Sequence, residues 1–325
     1  MFTFAGKLHI NNFSCIMANV IKIKKGLDIN LKGKASDVLL NGGKSESYAI
    51  VPDYYNGILP KVVAKVGEKV KAGSVLMIDK NRPEIKFVSP VSGEVTAVNR
   101  GEKRKVLSIV VKPDAQIEYE EFGKKNVASL QGAEVKEVLL NAGMWPFIKQ
   151  RPYDIVAAPL DTPRDIFVSA FYSAPLAPNF DFIVKGQEAD FQTGLNALAK
   201  LTNGKVYVGV RSGSVVSGVK GVEIVEVEGP HPAANVGVQI NHIKPVNKGE
   251  VVWTVNPADV IVIGRLFNKG VADFSRMVAI TGSETTERGY VKTISGCTIK
   301  SLVNGKVLGQ EHIRIISGNV LTGTK

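Results

Sequence analysis

The sequence predicts a multi-domain protein of mixed class: a β sandwich, then an α/β layer domain, then a small β-grasp-like module. Three observations carry this. Residues 64–108 alternate apolar and polar positions with Gly or Pro at each corner, as short strands of a compact barrel do. From Gly132 onward, helix-period stretches alternate with strand-like ones, the order of an α/β layer. After Asn256, a capped helix start precedes short strands around a short helix.

Taken in order, residues 1–19 read as an extension, expected to be disordered, because regular patterning begins only at Val20. Residues 20–112 read as the sandwich. Within it, Val66–Ile78 echoes Ser89–Val98, in keeping with two interlocked hairpins. This spacing resembles the biotinyl/lipoyl carrier, a barrel-sandwich hybrid. A carrier offers a modifiable lysine at a tight hairpin tip; here the tip is the longer, proline-stiffened Asp79-Lys80-Asn81-Arg82-Pro83-Glu84. A structural sandwich without a prosthetic group on Lys80 is therefore expected.

Residues 113–255 read as the α/β domain. Val135, Val138, Leu139 and Ala142 fall at helical spacing, and Gly143 stops that helix. Arg151–Ala157, Asp165–Phe171 and Phe180–Val184 read as strands. Phe191, Leu195, Leu198 and Leu201 share one helical face closed by Asn203-Gly204, and Lys205–Val210 and Val222–Val227 are further strands. Residues 256–325 read as the β-grasp module. Asn256-Pro257-Ala258-Asp259 starts its helix, and strands are expected at Arg276–Thr281, after Arg288 and within Ile313–Leu321.

The formal charge of +11 on 325 residues raises nucleic-acid binding. The basic residues are mostly Lys, scattered in short clusters without interleaved aromatics. Solvated strand faces, or attraction to an anionic membrane or acidic partner, fit better than a stacking platform. No apolar run is long enough to span a bilayer, and the first residues make a poor secretory signal. Cys15 and Cys297 suit a reducing cytoplasm.

A search for chemistry yields no catalytic set. His9, His231, His242 and His312 have no partner at metal-ligand spacing, so no metal site is expected. The loop Gly209–Gly218 follows a strand but precedes another strand, which argues against a phosphate cradle. His231, between Pro230 and Pro232, ends a strand where open α/β sheets often bind ligands. Trp145 and Phe147, with Asp161, Arg164, Phe171 and Tyr172, join aromatics to polar groups and could hold a planar carbonyl compound such as a quinone. Core packing and a shaped turn are the alternatives for these residues.

The run Ile21-Lys22-Ile23-Lys24-Lys25-Gly26-Leu27-Asp28 resembles the start of the NqrA family, subunits of the sodium-translocating NADH:quinone reductase. So do Val88–Gly93 with Asn99-Arg100-Gly101, Gly229-Pro230-His231-Pro232-Ala233, Asp259–Gly264 with Leu266-Phe267, and Ile315–Gly323, in the same order along the chain. The resemblance implies a barrel-sandwich hybrid, a Rossmann-like domain and a soluble-ligand-binding (SLBB-like) β-grasp module. It implies a peripheral subunit on the cytoplasmic side of the inner membrane, assisting electron transfer from NADH to ubiquinone or menaquinone coupled to Na+ export. NADH, FAD, FMN and Fe–S centres would belong to the membrane complex's other subunits, and this chain would hold no tight cofactor and perform no catalysis alone. More distantly it resembles the flavin-binding subunit of complex I, but Leu139–Phe147 lacks a Gly-rich flavin loop. Family members continue past the position of Lys325, so a missing C-terminal part is expected. The alternative is a stand-alone soluble ligand-binding or interaction protein built on the same modules.

Overall fold

The computed structural model describes residues 20–309 and 313–324. The expectation for residues 1–19, together with Cys15, His9 and His312, lies outside them. A sheet of seven strands forms the centre, in the order Val20–Lys22, Glu223–Glu228, Val206–Val210, Ile166–Ser169, Val252–Val255, Ile148–Arg151, Ile155–Val156. The first five run parallel, and Ile148–Arg151 joins Val252–Val255 antiparallel. Every residue of Ile166–Ser169 and Val252–Val255 is buried, as central parallel strands covered on both faces require.

Helices Gly132–Asn141, Glu188–Ala199 and Pro257–Lys269 bury their apolar residues in the main core together with Ile166 and Val168. Phe167, the intervening residue, packs instead with Ile240 of helix Val236–Ile243. Glu188–Ala199 and Pro257–Lys269 cross so closely that a Cβ on Gly264 would lie 1.7 Å from Asp190 O, and one on Gly194 2.1 Å from Val260 O.

The sandwich closes from two sheets. One orders Tyr48–Ile50, Val106–Pro113, Gly93–Arg100 and Lys69–Val70; the other Pro60–Val62, Val75–Asp79 and Lys86–Val88. Leu76, Met77, Ile85, Phe87, Val91, Val95, Ile109 and Val111 fill the space between them. A third sheet orders Ser275–Ile280, Gly289–Ile294 and Leu39–Leu40. It is tied to the α/β layer by Tyr290, whose Oη accepts the Asn179 N–H at 2.6 Å.

Four sequence expectations need correction. Val20–Lys22 belongs to the central sheet, not the sandwich, because it pairs in parallel with Glu226–Glu228. Phe180–Val184 is a helix: Asn179 Oδ1 caps it at the Asp181 N–H, and Phe180, Ile183 and Val184 are its buried residues, a helical spacing. Helix Pro257–Lys269, expected in the β-grasp module, packs along Glu188–Ala199 in the α/β layer. Between 313 and 324 there is no strand, only an isolated bridge from Ser317 to Thr324.

Candidate functional site

The crossovers step outward from Ile166–Ser169 to Val206–Val210 and Glu223–Glu228, then reverse to Val252–Val255 on the other side. The gap between Ile166–Ser169 and Val252–Val255 is thus a topological switch point, and ligands of open α/β sheets bind beyond the carboxyl ends there. Tyr172 follows one strand and Asn256 follows the other. The Tyr172 hydroxyl donates to Asn256 Oδ1 at 3.2 Å, and the same oxygen accepts the Ala258 N–H at 3.0 Å, capping helix Pro257–Lys269. Burial, reinforced by the Asp259 charge and opposed by Arg276, raises the Tyr172 phenol well above its ordinary range. Tyr172 is therefore a fixed, protonated donor at neutral pH.

On one flank, Arg276 places its guanidinium 6.0 Å from the Phe147 ring centre and binds Asp259 Oδ1 at 2.9 Å. Phe274 meets Phe147 edge-on with centroids 6.1 Å apart. Tyr55, from the sandwich, is pushed up to about 12 by burial, with Asp259 adding and Arg276 opposing. The Lys149 ammonium sits 5.3 Å from the centre of the Tyr55 ring. Burial lowers its pKa, against the pull of Asp154 and Asp259. Lys149 Nζ and Arg276 Nε are both shielded from solvent with no acceptor among the described residues. Buried donors of this kind call for an ordered water or a ligand oxygen. The flank thus joins the sandwich (Tyr55), the α/β layer (Phe147, Lys149, Asp259) and the third sheet (Arg276).

On the other flank, Ser173 Oγ lies 3.0 Å from His231 Nδ1 and accepts the Ala234 N–H at 3.0 Å. Arg211 lies 4.6 Å from the Phe171 ring centre and donates to Val227 O and Gly229 O.

Of the residues singled out in the sequence, the structure brings Phe147, Phe171, Tyr172 and His231 to this carboxyl edge. Trp145 is fully buried, donates to Ala157 O at 2.8 Å and meets Trp253 edge-on; it is core. Asp161 accepts from Gln150, which is level with Trp253 and hence with Ile166 at the amino end of the parallel strands. Arg164 precedes that same end, where it binds Asp165, Glu250, Lys244 O and Pro245 O. Neither reaches the crevice. Sequence reasoning missed Tyr55, Lys149 and Arg276 as members of one cluster, and found Asn256 only as a helix cap; no local pattern links positions from separate modules.

Among the described residues no three His, Cys, Asp or Glu side chains converge on a metal position, and no helix is long and apolar enough to cross a membrane. Two shallow grooves of about 240 and 290 Å³ flank helix Gly132–Asn141, away from the crevice, and share Glu137 and Asn141.

Three family profiles match in succession: the NqrA N-terminal barrel-sandwich hybrid domain over residues 21–114, the NqrA second alpha/beta domain over 130–272 and the NQRA C-terminal domain over 277–325. The NqrA protein of the Na(+)-translocating NADH-quinone reductase from Photorhabdus laumondii is 37% identical over 310 residues, covering 94% of this chain and 69% of that protein. Its namesakes from Hahella chejuensis and Neisseria meningitidis are 38% and 36% identical, with the same coverage of 94% and 69%. An NAD+-reducing [NiFe]-hydrogenase structure aligns at a TM-score of 0.34 and 10% identity, over 60% of this chain and 45% of that chain, too distant to carry an argument.

Proposed function

The chain belongs to the NqrA family of Na(+)-translocating NADH-quinone reductase subunits, and on that premise we propose that it is the quinone-associated, scaffold subunit of such a reductase. It assists electron transfer from NADH to ubiquinone or menaquinone coupled to Na+ export. It acts from the cytoplasmic side, bound peripherally to membrane subunits that carry the flavins and Fe–S centres. Its own contribution is shaped surface.

The observation that supports this reading is the switch-point edge. A quinone headgroup is flat and apolar with two carbonyl acceptors. Phe147 and Phe171 offer ring faces, each with an arginine beside it, while Lys149 Nζ and Arg276 Nε are shielded donors lacking acceptors among the described residues. Tyr172 is held at the centre by Asn256. Lys149 and Arg276 would hydrogen-bond the headgroup oxygens while the rings and Tyr172 position it; they supply no electron of their own.

The test is short-chain ubiquinone binding and NADH:quinone turnover in the assembled complex carrying Tyr172→Phe or Phe147→Ala. Loss of the Tyr172 anchor on Asn256 or of one ring contact is expected to weaken binding about tenfold, with the complex intact. Unchanged affinity and turnover in both variants would remove the crevice from consideration.

A further inference from the structure

We propose that the exposed strap Leu27–Leu31 is a docking edge for an extended, acidic segment of a partner chain, which adds to it as a strand. The proposal rests on the reading of this chain as one component of a complex.

The strap is fastened at both ends and, among the described residues, makes no other hydrogen bond beyond its own length. At one end the Leu27 N–H donates to His231 O at 2.9 Å, and Asp28 Oδ1 accepts the His231 N–H at 2.8 Å. At the other, Gly33 O accepts the Gly282 N–H at 2.8 Å. Gly33 has φ +101°, and a Cβ there would sit 2.2 Å from the Gly282 carbonyl. Only glycine lets the chain pass so close. Between Lys22 and Leu39 there is no helix or strand.

Leu27, Ile29 and Leu31 are 69%, 43% and 43% exposed, at the two-residue spacing of a strand. Among the described residues the N–H groups of Asp28, Ile29 and Asn30 have no acceptor; Leu31 alone bonds locally, to Ile29 O. A solvent-exposed backbone with open amides and apolar side chains at every second position is what β-strand addition uses: main-chain bonds for affinity, alternate side chains for fit.

Charge states the partner's sign. Lys24, Lys25, Lys32 and Lys34 are all exposed, and none is in an ion pair among the described residues. Asp28, the one acid between them, already serves His231. A complementary strand therefore carries Asp and Glu around its apolar positions. An anionic bilayer would satisfy the lysines and leucines but leave the amides unpaired, so the structure favours a peptide.

Amide hydrogen exchange of residues 28–31, in the purified chain and in the assembled complex, tests this. Exchange is expected to slow at least about tenfold on assembly. A benzophenone crosslinker at Ile29 is expected to mark a segment of a co-purified protein in which acidic residues outnumber basic ones. Ile29→Asp, at an exposed position, should lower recovery of the complex while leaving thermal unfolding of the chain unchanged. Exchange as fast in the complex as alone overturns the proposal and leaves the reading of the chain as a reductase component standing. So does strap protection on phosphatidylglycerol vesicles without any partner. A chain that recovers no partner overturns both.

Discussion

Asp79 and Arg82 grip each other at 2.8 Å inside the hairpin tip that, in a carrier domain, would present the modifiable lysine. Asp79 is fully buried and also accepts the N–H groups of Leu59 and Asn81. Arg82 turns its other donors outward to Gly57 O and to Val156 O of the central sheet. The tip is thus a joint between the sandwich and the α/β layer, with Lys80 beside it bonded through its own N–H to Leu59 O.

Asp79→Ala should therefore cost about 2–4 kcal/mol, because it strands two amides and a partly buried guanidinium. Urea unfolding followed by the fluorescence of Trp145 and Trp253, both in the α/β layer, reads it. A midpoint shift worth less than about 0.5 kcal/mol would mean the joint is dispensable.

Asp273 sets an acid limit. Burial works against its charge, but bonds from Ser275 and Lys269 and the Arg265 charge outweigh it and lower the pKa to about 2. A depressed carboxylate contributes stability above its unfolded pKa and loses it as pH falls through the folded value. Stability should drop between roughly pH 4 and pH 2 by about 1–2 kcal/mol from this group, allowing for solvent screening. Asp273→Asn should flatten that limb in acid titrations followed by circular dichroism.

Arg164→Ala separates scaffold from site. Its guanidinium binds Asp165, Glu250 and two carbonyls at the amino end of the strands, so a loss of about 1–3 kcal/mol is expected. Asp165 is held below the usual carboxylate range, burial being outweighed by Lys244, the Lys205 N–H and Arg164. Without Arg164 its acid limb should begin at higher pH. Quinone affinity of the complex should not change; a rise in Kd would return Arg164 to the site.

Lys149→Met has the opposite signature. A lysine with a lowered folded pKa costs stability at neutral pH and releases that cost as pH rises toward its unfolded value. Removing an ammonium without an acceptor among the described residues should stabilise the chain by about 1 kcal/mol at pH 7, the gap closing in alkali. Quinone binding by the complex should weaken in the same variant. Stability and affinity falling together would refute the assignment.

Local patterns were readable wherever one element decides its own form. Gly132–Asn141 follows from its helical apolar spacing, and the Asn256-Pro257 start from its capping chemistry. Phe180–Val184 misleads because its alternating Phe, Asp and Phe satisfy a strand period as well as a helical one; the Asn179 cap decides. Half of the crevice was legible in Phe147, Phe171, Tyr172 and His231, which end predicted strands or flank aromatics. Arg276 was not, since what makes it matter is Asp259, a residue of another element. Arg164 looked like a ligand contact for the converse reason: its neighbours Lys244 and Glu250 are about 80 residues away in sequence.

The pairing of Val20–Lys22 with Glu226–Glu228 bears on how the protein is made. At ribosomal rates of about 5–20 residues per second, the first strand waits roughly 10–40 s for its mate to emerge. During that interval a short, basic, apolar edge is bare, and the sandwich must form as an island behind it. The sheet's rim is sealed late, by a segment synthesised early, so an expression fragment ending between residues 113 and 222 leaves that strand without its seat and invites self-association.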